Sequence, residues 1–347
     1  MKAAVGAIRS GLLLVLLTAA CTPQPEHAAK PALPSTALHI GVAFDIGGRG
    51  DRSFSDSAAR GIDRARNDLN VIITEEEAST GETDDQKAAR LRRMADSGLN
   101  PIIAVGFAYA NALVDVAPRY PNVDFAIIDD DSVIADNVAN LVFQEAEGSF
   151  LVGVLAAQAS KTDILGFVGG VHAPIIERFE AGFTAGARAI KPKIVVRSFY
   201  LTNPPDFSGF TDPEVAQKVA QKLYAEGADV VYHAAGGSGL GVLRAAQAAR
   251  RWAIGVDSDQ YLQFLPGQRE VILTSMIKVV DVAVYDYVRS AVAGRPTAGI
   301  KRYGLALNGV DYSTSNPLVT PYVAKAEKFR REILEGRIDV PTRPERR

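Results

Sequence analysis

From Leu38 onward the chain alternates short apolar runs with longer segments of helical period, and that alternation leaves few architectures open. Runs of strand length and composition fall at 38–44, 71–74, 101–106, 123–129, 138–143, 164–169, 194–200, 229–234, 252–257, 271–277 and 303–307. Between most of them lie amphipathic stretches, among them 84–97, 174–190, 214–226 and 238–251. Strands separated by helices of this length pair in parallel, with the helices covering both faces of the sheet. At 347 residues the chain is longer than one core usually organises, so the sequence predicts two such α/β units. In open sheets of this kind ligands bind beyond the carboxyl ends of the strands, so the residues that follow each strand carry the functional information.

Those residues are acids, glycines and aromatics. The first strand runs into Asp45-Ile-Gly-Gly-Arg-Gly-Asp-Arg-Ser-Phe-Ser55, Asp129-Asp-Asp131 ends a second, and Asp257-Ser-Asp259 ends a third. Carboxylates accept paired hydrogen bonds from vicinal hydroxyls or ring N–H groups, which suits a sugar or a nucleoside. Phe54, Phe107, Phe207 and Phe210 fall near the same loop edges and offer faces on which a flat base could stack. Phosphate-binding readings fit less well. Gly48-Arg-Gly50 is followed by Ser53 where a dinucleotide fingerprint needs glycine, and Asp51 would repel a pyrophosphate. Gly236-Gly-Ser-Gly-Leu-Gly241 lacks the Lys-Ser/Thr ending of a P-loop, and Gly237 and Gly239 read as turn formers. A net charge of −2 supplies no basic field for nucleic acid, and the four histidines show no metal-ligand spacing. Two helix starts are marked: Ser53 with Asp56, and Thr211-Asp-Pro-Glu214 with Thr211 as the cap.

The amino terminus accounts for the single cysteine. Lys2 and Arg9 precede the apolar run Gly11–Ala20, which has the layout of a secretory signal and is too short to span a bilayer. Leu17-Thr-Ala-Ala-Cys21 resembles the lipobox of bacterial lipoproteins, in which the cysteine is acylated and becomes the first residue. Residues 22–36 hold four prolines and few large apolar side chains, and read as a tether. The expected organisation is a signal at 1–20 and a lipidated Cys21 with a flexible tether at 21–37, holding the folded part outside the cytoplasm.

Six motifs together resemble one family. Gly47–Phe54, Asn140–Gly153, Phe167–Gly170, Ala234–Gly241, Ile254–Gln260 and Thr274–Lys278 are similar, in order, to the basic membrane protein family of bacterial lipoproteins, whose best-understood members are purine nucleoside receptors of ABC importers. The resemblance implies a type I periplasmic-binding-protein fold, two Rossmann-like lobes joined by three crossover segments. Lobe one would hold 38–143 plus 279–299, and lobe two 144–278 plus 300–347. It implies that Phe54 and Phe210 stack on a base from opposite lobes and that Asp129 accepts from the base edge. Asp257 and Lys278 would hold ribose hydroxyls, with Gly236 giving close backbone access; Lys278 also reads as one half of a salt bridge between the lobes. Asp45, Asp51 and Phe107 complete the expected ligand-binding set, with Ser55, which stands where the family usually has asparagine. Glu145 and Glu147, beside the first crossover, could face the cleft or the solvent, and solvent is the expectation. Implied partners are a nucleoside, ABC transporter membrane subunits and a membrane reached through the lipid; a monomer without cofactor, metal or nucleic acid is expected. Two alternatives remain at this stage: a nucleoside-hydrolysing enzyme with an Asp-bound metal, and the same fold holding a sugar, flavin or signalling molecule.

Overall fold

The computed structural model describes residues 37–345. The expected signal, Cys21 and all but the last residue of the tether lie outside the described residues. Two six-stranded sheets organise the rest. The first contains β1 (Leu38–Phe44), β2 (Val71–Glu77), β3 (Ile102–Val105), β4 (Phe125–Ile128), β5 (Val138–Phe143) and, from late in the chain, β11 (Gly299–Tyr303), in the order β11-β5-β4-β3-β1-β2. The second contains β6 (Ile164–Val171), β7 (Val195–Thr202), β8 (Val230–Ala234), β9 (Trp252–Asp257), β10 (Ile272–Lys278) and β12 (Val310–Tyr312), in the order β12-β10-β9-β8-β6-β7. All pairings are parallel except that of β10 with β12. The two orders are the same pattern written twice, so β4 and β9 hold equivalent places, as do the outermost strands β2 and β7.

The chain passes between the sheets three times. After β5 it enters α4 (Glu145–Ala159), which packs on α5 (Pro174–Ile190) of the second lobe. After β10 it returns through α9 (Val280–Val292), which packs on α1 (Phe54–Asp68) of the first. The last passage runs from β11 to β12, ahead of α10 (Thr320–Leu334) on α4. Helix α4 is apolar all round, and all of it except Glu147 and Gln158 is buried, as a helix without a polar face must be. It approaches α5 closely because Gly182 and Gly186 face it. A Cβ on Gly186 would collide with the carbonyl oxygen of Phe150.

Four local expectations are corrected. Residues 300–303 belong to the first sheet, since β11 pairs with β5, and 305–307 form a single 3-10 turn instead of a strand. Ser53 occupies the N-cap position of α1 without capping it. Asp51 does so instead, accepting from the backbone N–H groups of Ser53 (2.8 Å), Ser55 (2.8 Å) and Asp56 (3.0 Å). At the start of α6 (Pro213–Ala225), Asp212 caps in place of Thr211, accepting from Val215 N–H at 3.0 Å.

Candidate ligand-binding site

The carboxyl ends of the two sheets face one cavity, which encloses about 660 Å³ of space including solvent at its mouth. All ten residues expected at a binding site line it: Asp45, Asp51, Phe54, Ser55, Phe107 and Asp129 from the first lobe, Phe210, Gly236, Asp257 and Lys278 from the second. Gly237, read from sequence as a turn former, lines it too, as do Ile175, Ile176 and Phe179 from the first turns of α5. The sequence singled out none of these three, because an apolar residue on a helix stripe looks the same whether it faces core or ligand.

The polar wall is organised by Lys278, only 1% exposed. Its Nζ lies 2.5 Å from Asp129 Oδ2 and 3.3 Å from Glu145 Oε1, with the rings of Phe143, Phe54 and Phe179 at 5.0, 5.1 and 5.6 Å. Burial alone would lower the lysine pKa, yet Asp129, Glu145 and Asp257 hold it above its ordinary value. Burial pushes all three acids up against the pull of that one cation, Glu145 to about 7. Three carboxylates around one ammonium cannot all ionise cheaply in so dry a place.

Glu145 is therefore not solvent-facing, as the sequence suggested, but fully buried, with Arg178 at 3.7 Å as a second partner. The available signal was its place at the start of a helix with no polar face. Glu147 is half-buried and accepts from Leu305 N–H at 2.8 Å. Asp129 and Lys278, assigned by resemblance to opposite ends of a ligand, are bonded to each other here, so Lys278 makes the salt bridge between the lobes that the sequence also left open. Asp129 keeps its Oδ1 buried and without a hydrogen-bond partner among the described residues, so it retains accepting capacity.

Asp129 and Asp257 share a backbone feature as well. Their φ angles are +71° and +63°, left-handed values at the ends of the equivalent strands β4 and β9. Such conformations are costly for a residue with a Cβ and cluster at functional sites. The Asp257 carboxylate also reaches across the lobes: its Oδ2 accepts from Ser53 Oγ at 2.6 Å. That bond explains why the Ser53 hydroxyl does not cap α1. Asp51, by contrast, spends both oxygens on α1. Burial raises it to about 6 against those three N–H bonds, and it shapes the loop.

At the other end of the cavity, Asp45 is backed by Lys87 of α2 (Asp84–Asp96), whose Nζ lies 3.1 Å from Oδ1. Burial raises the Asp45 carboxyl above its ordinary value, with Lys87 opposing. Lys87 was missed from sequence, although it falls on the buried face of α2 with Leu91, Met94 and Ala95, a stripe where a lysine is out of place. Phe207 stands off the cavity wall, its ring 5.7 Å from that of Phe107. No group of three or more His, Cys, Asp or Glu side chains among the described residues could hold a metal ion, and no described helix is long and apolar enough to cross a membrane.

The profile of the Bmp family, described as ABC transporter substrate-binding protein PnrA-like, matches residues 39–344. The chain belongs to that family. The Bmp chain is 34% identical over 321 residues to the CD4+ T-cell-stimulating antigen of Listeria monocytogenes, covering 88% of each protein. It is 32% identical over 332 residues to the ABC transporter nucleoside-binding protein BmpA of Lactococcus lactis, covering 89% of this chain and 90% of that one. Among solved structures, an ABC transporter solute-binding protein from Aeropyrum pernix superposes with a TM-score of 0.76 at 28% identity, over 88% of this chain and 94% of that one. The Bmp chain thus has the two-lobed periplasmic-binding-protein fold and is a substrate-binding protein of the ABC-transporter type, not an enzyme.

Proposed function

We propose that this protein captures nucleosides, purine nucleosides foremost, outside the cytoplasm and delivers them to an ABC importer, held to the membrane by an acylated Cys21. The observation that carries the reading is the composition of one cavity wall. Phenylalanine rings from both lobes, Phe54 and Phe107 with Phe179 and Phe210, share it with a buried cluster of hydroxyl-accepting acids around Lys278. A flat base gains from the rings, and vicinal hydroxyls gain from carboxylates that burial has left short of donors. The Lactococcus relative is named a nucleoside-binding protein, and an uncharacterized relative from Pyrococcus abyssi, 32% identical over 319 residues, is named a lipoprotein. Phe54 and Phe210 take the base. Asp257, Lys278 and Asp129 Oδ1 take the polar groups, and Gly236, at φ +51°, brings backbone close without a side chain in the way.

Calorimetry against inosine, guanosine, adenosine, uridine and free ribose tests the assignment. Nucleosides are expected to bind at one per chain and ribose far more weakly; ribose binding as tightly as inosine would remove any role for stacking. For the anchor, mass spectrometry of the mature protein is expected to find a diacylated amino-terminal Cys21, and a Cys21→Ser protein should leave the membrane fraction.

A further inference from the structure

Lys87 and Phe207 do not line the cavity, yet they meet across the two lobes. Lys87 belongs to α2, which follows β2; Phe207 lies in the loop that follows β7. Those are the outermost strands of their sheets, at the opposite edge from β5, β10, β11 and β12, through which the chain crosses between lobes. Lys87 Nζ sits 4.9 Å from the centre of the Phe207 ring and 5.5 Å from that of Tyr109. It donates to the Ala108 carbonyl at 3.3 Å and pairs with Asp45 at 3.1 Å, with only 3% of its side chain exposed. The Phe207 ring in turn meets Phe107 edge to face at 5.7 Å.

We propose that Lys87 and Phe207 form a clasp that holds the lobes shut over the bound ligand, making both positioning residues for ligand retention. The proposal rests on the substrate-binding reading and adds a specific device to it. The ammonium itself lies at the end of β1, beside Asp45, and three strand spacings put it roughly 14 Å from the crossover strand β5. Opening by about 15°, the scale of a subunit rotation about an interface, would carry Phe207 roughly 4 Å further from the ammonium than its present 4.9 Å, beyond the reach of about 6 Å at which a cation and a ring attract. The contact is therefore one that only the closed form makes. It is also made without a water layer, where attraction between a cation and a ring is strongest. Because the same ammonium pairs with Asp45 in the cavity wall, closure and the placement of that carboxylate share one group. An interaction present only in the closed form raises its population and slows escape of what it encloses, while entry into the open form is unaffected.

Stopped-flow release of inosine from wild type, F207L, F207Y, K87M and the K87M/F207L double variant tests this. F207L keeps the apolar bulk and loses the ring face; it is expected to speed release roughly 2- to 30-fold, the range that loss of one such contact spans, with the association rate unchanged. F207Y should release inosine at the wild-type rate. K87M should speed release at least as much as F207L, since it also disturbs Asp45, and adding F207L to K87M should cost little more. Release from F207L at the wild-type rate, or effects of the two substitutions that simply multiply, would overturn the clasp. Small-angle scattering of the same proteins separates this result from the fate of the nucleoside assignment. Should wild type bind no nucleoside, that assignment falls while scattering still decides the clasp: more open particles for F207L and K87M than for wild type uphold it, and superimposable curves overturn it.

Discussion

Phe54 is the side chain at which the base-stacking proposal is most exposed to test, because it begins α1, lines the cavity and lies 5.1 Å from Lys278 Nζ. Phe54→Ala is expected to weaken inosine binding by roughly 1–3 kcal/mol, the scale of a base stacked on an aromatic ring; calorimetry showing unchanged affinity would take Phe54 out of the site. Glu145 offers a test of the buried cluster that needs no ligand. Its folded pKa, raised to about 7 from an ordinary 4.5, means that the native protein holds a proton there that the unfolded chain has released. Stability therefore falls as pH rises from about 4.5 to 7, and the penalty is complete above that window. Glu145→Gln removes this titration, so its stability relative to wild type should rise between pH 5 and pH 8 in denaturant unfolding. A difference independent of pH would mean that Glu145 does not change its charge there on folding. The strand-end acids were legible in the sequence because a carboxylate after an apolar run is conspicuous and the fold class places strand ends together. Glu145 and Lys87 were not, since helical periodicity marks a position as buried but does not name what it is buried against.

Local elements divide along the same line. Strands β1, β5 and β9 run over the residues the apolar pattern marks, because their interiors are enclosed and continuous apolar runs have no other place to go. Strand β11 gave no such signal. Gly299, Ile300, Lys301 and Arg302 are all exposed, and the strand is held by backbone pairing with β5, which leaves no side-chain pattern to read. The cap of α1 was misread for a related reason. Ser53 is a good capping residue by type, but its hydroxyl is taken by Asp257, 204 residues away, a contact that no local pattern encodes. The cap the structure does contain makes a prediction at this scale. Asp51→Ala strips three backbone N–H groups of their acceptor at the start of α1 and should cost about 0.5–2 kcal/mol in denaturant unfolding. Because α1 also carries Phe54, inosine binding should weaken with it. A variant as stable as wild type would show that water or Asp56 can replace the cap.

The whole molecule is more than two lobes on a hinge. Helix α4 leaves a strand of the first sheet to pack in the second lobe, and α9 does the reverse. One continuous hydrophobic cluster accordingly contains Ile40, Val42 and Ile103 of the first lobe together with Phe150, Phe167 and Ile254 of the second. Neither lobe can lose its core without exposing apolar surface of the other, so both are expected to unfold in one cooperative step. A ligand that touches both lobes binds the native state only, and at a concentration 100 times its dissociation constant it adds about 2.7 kcal/mol to the free energy of unfolding. Scanning calorimetry should therefore give one transition without ligand and one, at higher temperature, with inosine. Two resolved transitions, only one of them moved by inosine, would show that the lobes fold independently and that the crossing helices join them without coupling them.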